Sequence, residues 1–250
     1  MTTGPLLELA GVSKRFGSIV VADSLSLSIR AGDAVGIVGP NGAGKTSLFS
    51  LISGDLSPNS GEVSFESRPV TRLDAAERCR IGIARTYQVP RSFEHMTVFE
   101  NVLVAAHRGG GLRGREASAF AAMVLEETGL GDEANRPAAR LGLVKRKRLE
   151  LARALGSKPR LLLLDEVAAG LTEPEVAGLV EVVRRIRDQG VAVIWVEHVV
   201  RALIAMVERL ICLAGGRFIG DGEPRVVLAS PAVREVFLGT SYGEATRPEV

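Results

Sequence analysis

Residues 39–46 read Gly39-Pro40-Asn41-Gly42-Ala43-Gly44-Lys45-Thr46, in which Gly39 and Gly44 enclose four residues and a lysine and a hydroxyl follow. The apolar run Ala34 to Val38 before them has the length of a buried strand. Leu48, Leu51 and Ile52 after them share one face of a helix. A glycine-rich turn between strand and helix is a phosphate cradle. Its glycines admit positive φ and leave room beside bare backbone. Its N–H groups converge on an anion, and the helix start adds its positive end. Lys45 brings a compact charge to the β- and γ-phosphates, and the Thr46 hydroxyl is a Mg²⁺ ligand. Gly39, Pro40, Asn41, Gly42, Ala43, Gly44, Lys45, Thr46 and Ser47 are the candidate ATP-binding residues.

The chain has 250 residues, room for one large domain or two small ones. A hydrophobic content of 46% with only 4% aromatics means a core of Leu, Val, Ile and Ala. A net charge of +2 argues against a broad nucleic-acid-coating surface. Cys79 and Cys212 lie too far apart to suggest a disulfide framework or metal spacing, and are expected to be buried small hydrophobes in a reducing compartment. The start MTTGPLLELAGV lacks a signal-peptide pattern, and no run approaches the ~20 apolar residues of a bilayer span. Any membrane connection is expected to run through a partner.

Ser24 to Ile29 alternates as a strand with one wet face, and Glu62 to Phe65 and Ile81 to Ala84 read as further strands. From Ser92 to Leu155 the pattern turns helical: Val98 to Ala106, then Ala117 to Thr128 closed by Gly129, then Leu149 to Leu155. Leu161-Leu162-Leu163-Leu164 and Val191 to Val196 are continuous apolar runs, as in parallel strands covered on both faces. An amphipathic helix over Val176 to Ile186 makes them a βαβ unit. Leu210 to Ile219 reads as a hairpin through Gly215-Gly216, and the last ten residues as a polar tail.

The carboxyl ends of parallel strands lie together, and ligands bind there. Asp165 ends one buried run and suits Mg²⁺; Glu166 follows it, placed to orient or deprotonate an attacking water. His198 follows another buried run and belongs at the same edge, within reach of a γ-phosphate. Gln88 stands where the β-rich body meets the helical stretch, a place from which it could touch Mg²⁺ and water, though spacing alone does not assign it that role. Phe16 is expected on a loop, and taken alone reads as a core aromatic. His95 and His107 read as surface or core residues, and Lys145 to Arg148 as a solvated basic face.

From residue 6 to about 239 the chain resembles the ATP-binding cassette family, the motor subunits of ABC transporters. GPNGAGKT, RTYQ, LLLLDE and WVEH stand in family order and spacing. The resemblance implies an α/β P-loop NTPase of ABC ATPase type. It would have a mixed-sheet core with an antiparallel β subdomain (about 6–91 and 157–239), an inserted helical subdomain (about 92–156) and a tail at 240–250. It implies Phe16 as the adenine-stacking aromatic, Gln88 as the water-organising glutamine, Glu166 as general base and His198 as switch histidine, with Thr46, Gln88 and Asp165 for Mg²⁺. RTYQVPRSFEHMTVFENVLVAA, DEVAAGL and EVFLGTSY look like the branched-chain amino acid uptake subgroup. Lipopolysaccharide-export and urea-uptake ATPases share some of these features. A soluble cassette ATPase acting on nucleic acid is the alternative from another class, against which stand the single cassette and the near-neutral charge. A catalytically weak regulatory partner is a third.

The family signature LSGGQ is replaced by Leu141-Gly142-Leu143-Val144-Lys145. Gly142 lacks the serine hydroxyl, Val144 at a glycine position resists positive φ, and Lys145 leaves a charge for phosphate. After Glu166 the family proline is Val167, and Thr172-Glu173 stand where the subgroup has Asn-Pro. In the family, two cassettes close head to tail, each site pairing one phosphate loop with the other chain's signature. The expected partners are therefore two integral membrane permease subunits and a second, different cassette with an intact signature. A solute-binding protein acts indirectly, and no nucleic acid is involved. The expected location is the cytoplasmic face of the cell membrane, through the permeases.

Overall fold

The computed structural model describes residues 4–198 and 200–238. The first strands, β1 (Leu7–Phe16) and β2 (Ile19–Ile29), pair antiparallel, and β3 (Ala34–Val38) follows. The phosphate loop then leads into α1 (Lys45–Ser53). Next come β4 (Ser60–Phe65), the short β5 (Arg68–Pro69), α2 (Ala75–Arg80) and β6 (Ile83–Arg85). Three helices fill the next stretch: α3 (Val98–Arg108), α4 (Gly114–Glu127) and α5 (Leu143–Gly156). β7 (Leu161–Asp165), α6 (Glu173–Asp188) and β8 (Ala192–Val196) form the expected βαβ unit. The short α7 (Val200–Ile204), the hairpin β9 (Arg209–Ala214) and β10 (Arg217–Gly222), and α8 (Pro224–Ala229) follow, and two short helical segments over Pro231–Val233 and Arg234–Leu238 close the described residues.

The strands make two sheets. One is antiparallel, in the order β2-β1-β4-β5. The other runs β10-β9-β3-β8-β7-β6, parallel from β6 through β9 with β10 antiparallel at its edge. The fold class read from the sequence, a mixed sheet with a separate antiparallel sheet and a helical insertion, is the one observed.

The continuous apolar runs are explained by two cores, one on each face of the mixed sheet. Along β7, Leu161 and Leu163 face the core that holds α1 and the antiparallel sheet, while Leu162 and Leu164 face the one that holds α3 to α6. β8 divides the same way, Ile194 and Val196 to one side and Trp195 to the other. A strand covered twice cannot alternate apolar with polar, so it reads as an unbroken run. The consequence for function is positional. Arg85, Asp165, Val196 and Val38 end four neighbouring parallel strands at one edge of the sheet.

Two readings are corrected. Phe16 is the last residue of β1 rather than a loop residue, and at 52% exposed it is no core aromatic. Of the cysteines, Cys212 is buried but Cys79 only half-buried. The tail 240–250 and the end of the EVFLGTSY resemblance lie outside the described residues.

Candidate active site

The phosphate loop is held against its neighbours by backbone alone. A Cβ at Gly44 would lie 2.3 Å from the Val21 carbonyl oxygen, at φ +104°, and one at Gly39 would lie 2.1 Å from that of Leu213. Side chains are excluded at both, so the loop's curvature follows from its glycines. Gly44 caps α1 with no side-chain acceptor of its own, which leaves the helix start open to an anion. Lys45 is 7% exposed, and its ammonium donates to the carbonyl oxygens of Gly39 (2.8 Å) and Pro40 (3.0 Å). Burial pushes its pKa down, and the charges of Glu166 and Asp165 oppose that.

Across the loop stand the strand-end residues. Glu166 takes a left-handed backbone, φ +49°, and its N–H donates to the Val196 carbonyl at 2.9 Å. Its carboxylate receives Gln88 Nε2 at 2.5 Å on one oxygen and meets His198 Nε2 at 2.9 Å on the other. Three residues separated by up to 110 positions thus meet at one carboxylate, in the arrangement expected of a base and its orienting partners. Asp165 sits one residue back, 3% exposed, its N–H donating to Thr86 Oγ1 at 3.1 Å. Thr46, Gln88 and Asp165 line one cavity of about 300 Å³. Hydroxyl, carboxamide and carboxylate oxygens are the donors a hard cation such as Mg²⁺ takes, and they fit it.

Residues outside the sequence reading complete the edge. Arg85 donates to Asp165 at 2.8 Å and to Ser50 Oγ at 2.9 Å, and its guanidinium stacks 5.1 Å from the Tyr87 ring. It ends β6 beside β7, so the strand-end argument that found Asp165 reaches it too. Glu197, 1% exposed, accepts from Ala168 N–H at 2.6 Å and from Trp195 Nε1 at 3.3 Å. Burial pushes its pKa up against those bonds and the charge of Lys147. Lys147 corrects the reading of Lys145 to Arg148 as a solvated face. It is 8% exposed, and burial lowers its pKa against the charges of Glu197 and Glu166.

The altered signature forms the start of α5, with Gly142 as an N-cap at φ −69°, ψ 169°. No side chain there caps the helix, as the missing hydroxyl leads one to expect. The conflict expected at Val144 does not arise, since the residue lies in the first helical turn and has no positive φ. Lys145 is ion-paired with Glu133. Phe16 stands at the end of β1, with the Lys14 ammonium 5.2 Å from its ring centroid. His107 Nδ1 lies 2.8 Å from the Leu112 carbonyl oxygen, and His95 is exposed.

Comparison with known proteins identifies the family. The sequence profile of the ABC transporter family matches residues 22–169. The high-affinity branched-chain amino acid transport ATP-binding protein BraF of Pseudomonas aeruginosa is 34% identical, covering 94% of this chain and 98% of its own. The corresponding LivG protein of Escherichia coli is 32% identical over the same shares. Among solved structures, the ADP conformation of an ATP-binding cassette of an ABC transporter superposes with a TM-score of 0.87 at 29% identity, covering 95% of this chain and all of that one. The dimer of another cassette in a post-hydrolysis state, bound to ADP and phosphate, gives 0.79 at 25% identity, covering 88% and 99%. The chain belongs to the ABC transporter family, as one of its ATP-binding, ATP-hydrolysing subunits.

Proposed function

We propose that this subunit powers the import of branched-chain or related amino acids, with Glu166 as the base that activates water. The observation that carries the catalytic part is the meeting of Gln88 and His198 on the Glu166 carboxylate, across from Lys45 and Asp165. Glu166 takes a proton from the attacking water as its oxygen bonds to the γ-phosphorus and the bond to ADP breaks. Gln88 and His198 hold the carboxylate and water in line. Lys45 and the N–H groups of the loop take the phosphate charge. Thr46, Gln88 and Asp165 would hold Mg²⁺, which would supply charge neutralisation to the phosphates. Phe16 stacks on adenine. The amino acid substrate is supported by the two branched-chain relatives, which align over nearly their whole length.

Among the described residues no helix is long and apolar enough to cross a membrane, so coupling to transport takes permease subunits. A cavity of about 290 Å³ between sheet and helical region, lined by Asp55, Tyr87, Phe93, Arg108, Glu150 and Arg153, supports docking there beside the Gln88 loop. On this reading the chain sits peripherally at the cytoplasmic face, with a solute-binding protein acting through the permeases. The uncapped start of α5, with Val144 in its first turn and Lys145 held by Glu133, supports pairing with a different cassette that carries an intact signature.

Glu166→Gln tests the catalytic assignment. In the complex purified with this chain, the ATPase rate falls by about 10² or more while ATP binding persists. An unchanged rate contradicts the assignment and favours a regulatory subunit.

A further inference from the structure

Lys147 belongs to a basic run, yet its side chain turns inward. Its ammonium donates to the carbonyl oxygens of Glu166, at 3.3 Å, and Ala169. From the other side Glu197 takes the N–H of Ala168. Two buried charged side chains, from α5 and from the end of β8, thus grip four consecutive residues. Those four begin with the left-handed Glu166, a conformation that a non-glycine residue keeps only where its surroundings over-determine it. Val167 and Ala168 within the turn are buried at 4% and 1% exposed, so its polar backbone groups need partners from the protein. An apolar residue at 147 would be cheaper to bury than an ammonium, but it would leave the Ala169 carbonyl unserved and the Glu166 carbonyl with only the Ala169 N–H, at 3.3 Å.

We propose that Lys147 and Glu197 are positioning residues for ATP hydrolysis, fixing the Glu166–Ala169 turn so that the Glu166 carboxylate stays between Gln88 and His198. Lys147 also ties that turn to the helix that begins with the altered signature, so the base of one ATP site is braced by the element facing the other. The inference rests on the reading of Glu166 as the base.

The experiment compares Lys147→Met, Lys147→Arg and Glu197→Gln in the complex purified with this chain, each also combined with Glu166→Gln. The readouts are kcat, KM for ATP, and affinity for a fluorescent ATP analogue. Lys147→Met lowers kcat by on the order of tenfold to a hundredfold, the cost of a misplaced reacting group, with KM and affinity within about twofold. Lys147→Arg, which keeps donors within reach, restores most of the rate. In the Glu166→Gln background neither brace variant lowers the residual rate further, because the group they position is already gone. Where Lys147→Met does not fold, the isosteric Glu197→Gln carries the test with the same kcat-only loss. A folded, ATP-binding Lys147→Met or Glu197→Gln complex with unchanged kcat overturns the proposal, as does a further loss in the Glu166→Gln background. A Glu166→Gln complex at full rate overturns the base assignment, and the proposal with it.

Discussion

Cys212 sits on β9 next to the phosphate-loop strand, and burial pushes its thiol from 9.0 up to about 11 against the opposing charge of Lys45. The native protein therefore keeps a proton that the unfolded chain gives up between those two values. The resulting stabilisation is fully present below pH 9 and is lost as pH rises through about 11. Cys212→Ala flattens the alkaline fall in unfolding free energy by up to about 2–3 kcal/mol, the worth of two pH units. Denaturant unfolding on either side of that window measures it, and parallel profiles for the two proteins contradict it. Lys45 acts in the opposite sense, because its lowered pKa makes the native state shed a proton first, so it is kept in both proteins. At this scale the sequence was informative where strand ends carried chemistry. Asp165, Glu166 and His198 follow runs too apolar to be anything but buried strands. Arg85 ends the three-residue β6, too short to announce its register, and its pairing with Asp165 depends on β6 lying beside β7. Lys147 was hidden by its charged neighbours, although it shares a helix face with the buried Leu151 and Ala154, four and seven residues on.

At the level of elements, the start of α5 carries the stretch read from the sequence as an altered family signature. Gly142 adopts the extended backbone of an N-cap without supplying a side-chain acceptor. Gly142→Ser gives the helix that acceptor and raises stability by a few tenths of a kcal/mol. Combined with Val144→Gly, it also rebuilds the signature donor. The double substitution in a Glu166→Gln background converts a chain that stays monomeric with Mg-ATP into a homodimer, as judged by native mass. A homodimer formed equally well without the two substitutions contradicts this. The long elements were legible because their periodicity was unambiguous, as in α6 and the paired runs of β7 and β8. The six-residue α2 has too few turns for a period, yet Asp74 and Glu77 cap each other across its start, with N–H contacts of 2.8 and 2.9 Å. That capping box was the available signal. The hydrogen-bonded order of the sheet, with β3 between β8 and β9, has no local signature and emerges only from packing on both faces.

For the whole molecule, one sheet edge gathers the phosphate loop with Gln88, Asp165, Glu166 and His198, while the stretch read as an altered signature lies at the start of α5. Under the proposed function, such a chain is half of an asymmetric motor. On that proposal, ATP drives closure only if it binds the closed pair better than the open one, so the partner's signature decides whether this chain's Glu166 fires. The most direct measurement is the composition and native mass of the complex that this chain brings out of native membranes in mild detergent. Two integral membrane subunits, one copy of this chain and one different cassette with an intact signature are the predicted result. Two copies of this chain on the membrane subunits, or recovery only from the soluble fraction with nucleic acid, would contradict it.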